Sequence, residues 1–303
     1  MKVFWAFIAV AGMWGSSFLF IKIGLLELEP FTLVALRTGF ASLTLLATIP
    51  FITRQITIDR RSLLYLLIVG VMNPAVPYIL ITWGQQFVSS AMAGIINATV
   101  PLFALPFAHY FLRDEPITVA RLTGLVVGFL GIVLIFSNIP SVSPGIIETQ
   151  SGMDNSQNVL IGQIAMLGAA VCYAGSMVFV RYSLRRTAPI IIALSSQLNA
   201  FILTGIMAVV LEAPFTSRLS DTGWMGIAWL GISSGLSYIL FYFVLSKWGT
   251  TRTSLVTYLV PVIAVTLGAV VLSEVISWQS LIGGLLVISG IAVINTQARV
   301  QSA

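Results

Sequence analysis

Few side chains in this sequence can do chemistry, and most of them stand singly inside apolar runs. Arg37 is the costliest. It lies seven residues after Pro30, roughly 10 Å along a helix rising about 1.5 Å per residue. An unpaired charge at that depth in a hydrocarbon layer costs at least about 2.5 kcal/mol, so the guanidinium needs a partner or a route to water. Two roles stay open for it: attracting a substrate carboxylate, or serving as a structural cation that snorkels or pairs with Glu27 or Glu29. Lys22, nearer a helix end, is expected to snorkel. His109, the one histidine, sits about a turn before Arg113 and could take up a proton during turnover or rest as a satisfied interfacial side chain.

Neutral polar residues form a second group. Tyr78, Thr82 and Gln85 occupy positions i, i+4 and i+7, and Ser234, Tyr238 and Tyr242 occupy i, i+4 and i+8, so each set falls on one helical face. Such stripes either line a cavity or hydrogen-bond between helices. Trp14 with Ser17, and Tyr173 with Ser176, are each three apart; rings facing a cavity stack on apolar groups while hydroxyls bind polar ends. The alternative is packing against lipid or at an interface. Asn97 stands four before Pro101 and Thr257 four before Pro261. A proline inside a span frees a carbonyl, which a cavity or a neighbouring group must satisfy, so kinks are expected at Pro101 and Pro261, and a disturbance at Asn73, Pro74 and Pro77.

The elements that carry these residues follow from composition. Of 303 residues 58% are apolar and 8% charged, which excludes a water-soluble fold and predicts an all-α integral membrane protein. Apolar stretches long enough to cross a bilayer occur at 3–24, 31–52, 62–83, 90–112, 118–137, 159–181, 188–211, 223–245, 252–273 and 277–296. They are continuous, not alternating, so helices are expected in place of a β-barrel. Residues 1–24 read as a retained first helix with no cleavage pattern.

With the N-terminus in the cytoplasm, Lys2, Arg54, Arg60, Arg61, Arg113, Arg121, Arg181, Arg185, Arg186, Lys247, Arg252 and Arg299 all fall on the inner side. Positively charged loops stay inside, so both termini are expected to be cytoplasmic. The basic balance reports this topology, not a nucleic-acid partner. Cys172, the one cysteine, excludes an internal disulfide and a cysteine-cluster metal site. The sequence calls for no metal and no cofactor. The partners it implies are the lipid bilayer and a small-molecule substrate.

The chain also repeats itself. Trp14-Gly15-Ser16-Ser17 through Lys22 is echoed by Tyr173-Ala174-Gly175-Ser176 through Arg181, Pro30 by Pro189, Tyr78 by Tyr238, Pro101 by Pro261, Glu115 by Glu274, and Gly124 and Gly131 by Gly283 and Gly290, at offsets of 159 or 160. Five spans per half is odd, so the second half enters the membrane in the opposite sense. Inverted repeats of this kind hold substrate between them near the midplane. The organisation expected is a first repeat at 1–137, an external linker at 138–158 rich in Pro and Gly without Lys or Arg, and a second repeat at 159–303. Gly124, Gly128, Gly131, Gly283 and Gly290 are expected to let helices approach closely, within one chain or across a homodimer.

Trp14-Gly15 with Phe18 and Lys22, Pro30 with Arg37, Pro101, and Glu115 followed by Gly124 and Gly131 together resemble the EamA-type branch of the drug/metabolite transporter superfamily. The resemblance covers essentially the whole chain. Tyr173 in place of a tryptophan, Ser196 opposite Arg37 and the Lys247-Trp248 pair depart from it. It implies a ten-helix carrier with a central cavity lined mainly by spans 1, 3, 4, 6, 8 and 9, exporting amino acids or related drug-like metabolites. Import through the same fold is the nearest alternative. No acid falls mid-span, so the usual buried coupling carboxylate is missing. An intramembrane enzyme would need a base-paired nucleophile, paired carboxylates or a metal; a His109-dependent acyltransferase is the least implausible form.

Overall fold

The computed structural model describes residues 1–52, 60–112, 118–137, 155–185, 187–212, 219–253 and 256–300. Most of the linker, together with Glu115 and the basic residues Arg54, Arg113, Arg186 and Arg218, lies outside them.

The described residues are helical, without a strand. The helices are α1 (Lys2–Gly24), α2 (Pro30–Ile52), α3 (Arg60–Gly70), α4 (Val76–Gly84), α5 (Ser90–Asn97), α6 (Val100–Phe111), α7 (Val119–Ser137), α8 (Asn155–Ser183), α9 (Pro189–Leu211), α10 (Asp221–Thr253), α11 (Val256–Val271) and α12 (Trp278–Val300). Eight candidate spans are long and apolar enough to cross a membrane, and Val256–Val271 and Trp278–Val293 add two shorter apolar helices. This is the expected ten-span architecture. Leu130, Val133, Val209 and Leu285 are exposed on its outside, an exterior suited to hydrocarbon and not to water.

Two spans are interrupted. The third consists of α3 and α4 joined by a π-helical turn at Val71–Ala75, within which Asn73 is extended (φ −163°, ψ 106°); Pro74 and Pro77 supply no amide donor there. The fourth consists of α5 and α6, separated at Ala98 and Thr99, with Pro101 in the first turn of α6. The disturbance expected at Pro101 is therefore a break just before it. Pro261, by contrast, lies inside an uninterrupted α11.

Helix packing joins the two halves at every level: α1 lies against α10 and α11, α2 against α9 and α10, α8 against α4 and α6, and α7 against α12. The last contact uses the glycines singled out in the sequence. A Cβ on Gly131 would fall 2.6 Å from the Gly283 carbonyl oxygen, and one on Gly283 would fall 2.8 Å from that of Gly131. The close approach is thus made within the chain. Gly283→Val should destabilise the fold by about 1–3 kcal/mol, as overpacking does, read as a lower thermal midpoint in detergent; an unchanged midpoint would contradict this packing.

Candidate functional site

The centre of the bundle is organised around Arg37. Its side chain is 5% exposed and lies between the halves. Nε donates to the Ser234 hydroxyl of α10 at 3.0 Å. The guanidinium carbon stands 3.8 Å above the Tyr78 ring of α4, a cation–π contact. Neither Glu27 nor Glu29 reaches it: among the described residues no carboxylate pairs with Arg37, and no side chain takes up its two terminal nitrogens. The cation is held by neutral groups.

Local sequence explains why α2 can bring a guanidinium this close to α10. A Cβ on Gly231 would fall 2.9 Å from the Arg37 carbonyl oxygen and into Phe40, and one on Gly235 would fall 2.8 Å from Thr44 Cβ. Glycines one turn apart therefore let the backbones nearly touch, leaving Ser234 facing α2.

From there a hydrogen-bonded path runs to α1. Ser237 donates from Oγ to the Ser234 carbonyl at 3.0 Å, and Trp14 Nε1 donates to the Ser237 hydroxyl at 2.9 Å. The Trp14 ring packs on Phe241, centroids 5.3 Å apart. Tyr173 of α8 completes the cluster, within electrostatic reach of Tyr78, Arg37, Tyr238 and Cys172.

Of the residues singled out in the sequence, Arg37, Tyr78, Tyr173, Ser234 and Tyr238 thus converge, with Trp14 attached through Ser237. Ser17 instead donates to its own helix, to the Met13 carbonyl at 2.8 Å. Thr82 and Ser176 are fully buried with hydroxyls lacking a partner, and Asn97 Oδ1 is likewise buried without one. Gln85 donates Nε2 to the Phe18 carbonyl at 2.9 Å, its Oε1 left over. Thr257 lies in the first turn of α11 and is half-buried, and His109 is exposed at the end of α6. The Tyr242 side chain lies outside the described residues. Ser237 was not anticipated; its signal is the i+3 spacing from Ser234 within a run of small residues.

A second set of polar contacts occupies the end of the bundle where α1 finishes and α2 starts. Lys22, expected to snorkel, is buried and donates to the carbonyls of Gln85 at 2.6 Å and Val88 at 3.0 Å. Glu274, which precedes α12 in the chain, crosses to α5 and accepts from the Ser90 amide at 2.7 Å, the Ser90 hydroxyl at 2.9 Å and the Ala91 amide at 3.0 Å. Glu212 caps α2 in the same manner through Phe31 and Thr32 amides at 2.8 and 2.7 Å. Glu27 takes the Ser220 amide and hydroxyl ahead of α10; those bonds, the hydroxyl first, hold its carboxyl below the usual carboxylate range. Carboxylates suit helix N-termini, where amides lack partners and the dipole is positive.

The EamA-like transporter family matches residues 1–137 and again residues 160–296. This chain belongs to that family. Within the EamA-like proteins, it is 22% identical over 292 residues to the uncharacterized transporter YoaV of Bacillus subtilis strain 168, covering 96% of each chain. An uncharacterized transporter of Archaeoglobus fulgidus is 26% identical over 285 residues, 93% of this chain and 94% of that one. The uncharacterized inner membrane transporter YedA of Escherichia coli K12 is 26% identical over 284 residues, 91% and 85% of the two chains. A solved crystal structure shares the fold at a TM-score of 0.67 and 18% identity, over 100% of this chain and 99% of its own. The chain is a membrane transporter of the drug/metabolite transporter superfamily.

The cation–π contact makes a separable prediction. Tyr78→Phe keeps the ring face under Arg37 and should hold the thermal midpoint near wild type, while Tyr78→Leu should lose about 0.5–2 kcal/mol. Equal midpoints for the two variants would remove the contact from the energetics.

Proposed function

We propose that this transporter exports small carboxylate-bearing organic metabolites, amino acids or related amphipathic compounds, by alternating access at the Arg37 cluster. The observation that carries the reading is a buried guanidinium whose partners among the described residues are the neutral Ser234 hydroxyl and Tyr78 ring. Buried cations are ordinarily paired, and a carboxylate ligand supplies the missing charge in the bidentate geometry a guanidinium favours. Tyr78 and Tyr173 offer rings for the apolar part of the same ligand. Because the cluster draws Arg37 and Tyr78 from the first half and Tyr173, Ser234 and Tyr238 from the second, rocking of one half against the other changes its access. The basic residues of the connecting segments support a reading with both termini cytoplasmic and the bundle in the inner membrane.

The test compares metabolites in the medium of bacteria expressing the wild-type chain, Arg37→Ala or Arg37→Lys at matched membrane levels. Wild-type cells should accumulate a restricted set of carboxylates outside, Arg37→Ala should abolish the excess, and Arg37→Lys should restore part of it, since a point charge lacks the planar fork. Depletion from the medium would reverse the direction of transport, and an excess unaffected by Arg37→Ala would sink the carboxylate assignment.

A further inference from the structure

We infer that the α4–α5 hairpin is a hinged flap over the Arg37 cluster and that Lys22 and Glu274 form the latch holding its tip. The inference rests on the transport reading above and assigns its gate.

The hairpin is bounded at both feet by interruptions of the helical ladder, at Val71–Ala75 before α4 and at Ala98 and Thr99 after α5. Sharp changes of direction in helices concentrate at such places. Its tip, the turn from Gln85 to Ser89, is gripped from two sides. On one side Lys22 of α1 donates to the Gln85 and Val88 carbonyls. On the other, Glu274 binds the first amides of α5. Lys22 and Glu274 are also in electrostatic reach of one another. Both grips are polar bonds that water can replace when the tip lifts; the flanks of the hairpin pack through small residues, Gly84 against Gly162 of α8 and Gly94 against Ala264 of α11.

The way Glu274 is aimed supports a dedicated contact. After α11 the chain reverses at Ser273, a non-glycine residue in the left-handed region (φ 53°), a conformation disfavoured for an L side chain. The Glu274 amide then bonds back to the Gly268 carbonyl at 3.1 Å. Gly268 leaves the space: a Cβ there would meet the Glu274 carboxylate and fall 2.7 Å from the Ser90 hydroxyl. Glu27 and Glu212 brace the same end through α10 and α2, which lie outside the flap. At the opposite end a recess of 340 Å³ runs between α6 and α8, from Met72 to Phe111 and Tyr182.

Tyr78 ties latch to site. It rides on α4, so lifting the flap takes its ring off Arg37.

The test reads the latch without reference to any substrate. In full-length Cys172→Ser protein, buried Ala93 of α5 is changed to Cys and its rate of maleimide labelling in detergent is measured. Glu274→Gln and Lys22→Met should each raise that rate about tenfold, while an Ala200→Cys reporter on α9 should label at an unchanged rate. Equal Ala93→Cys rates with and without Glu274→Gln, in protein of unchanged size-exclusion profile, would overturn the latch; so would parallel acceleration at both reporters, which signals general loosening. Failure of the metabolite comparison, with labelling as expected, would remove the carboxylate export reading and leave the latch standing.

Discussion

A buried positive charge between the two halves sets the terms for the rest of this structure. Arg37 is almost wholly buried and has no carboxylate partner among the described residues. A chain with 8% charged residues could avoid the expense by placing a leucine there. Keeping the guanidinium obliges the neighbouring helices to furnish a hydroxyl and an aromatic face at fixed distances, and those come from opposite halves. Two glycines on α10 are needed before the hydroxyl can arrive at all. The polar path through Ser237 to Trp14 then ties α1 into the same arrangement. Close backbone approach, neutral hydrogen bonding and a cation over a ring thus form one connected constraint.

The periphery uses the same close backbone approach with no charge at the contact. Between α7 and α12 nothing polar is required: small residues let two backbones touch, and dispersion across the seam replaces a hydrophobic driving force that lipid does not supply. Packing of that kind resists sliding because Gly131 and Gly283 each face the other's carbonyl and Gly290 faces that of Gly124. The centre adds single bonds to hydroxyls and carbonyls, which can be exchanged one at a time.

Much of this is legible in the residues alone. Composition and proline placement mark the spans, the repeat marks the halves, and the expense of a mid-span charge marks Arg37. Two stripes on separate helices, Tyr78 in one and Ser234 with Tyr238 in the other, do converge. Other features depend on packing that periodicity cannot see. Ser17 carries a hydroxyl on a favourable face, yet its oxygen finds a nearer acceptor one turn back. Lys22 looks like a snorkelling residue because its spacing says nothing of the carbonyls that end α4. Glu274 sits beside α12 in the chain but serves α5 in space, since the reversal at Ser273 redirects it. In each case a side chain with several options takes the one set by a distant segment.

The interruptions in the third and fourth spans have no counterpart in the second half. Residues 231–235, matching the break at Asn73 by the 160-residue offset, run continuously within α10, and residues 258–259, matching Ala98 and Thr99, run continuously within α11. A half interrupted twice and a half with unbroken helices at the matching positions resist bending unequally, so under the alternating-access reading proposed above the two sides of the carrier are closed by unlike structures.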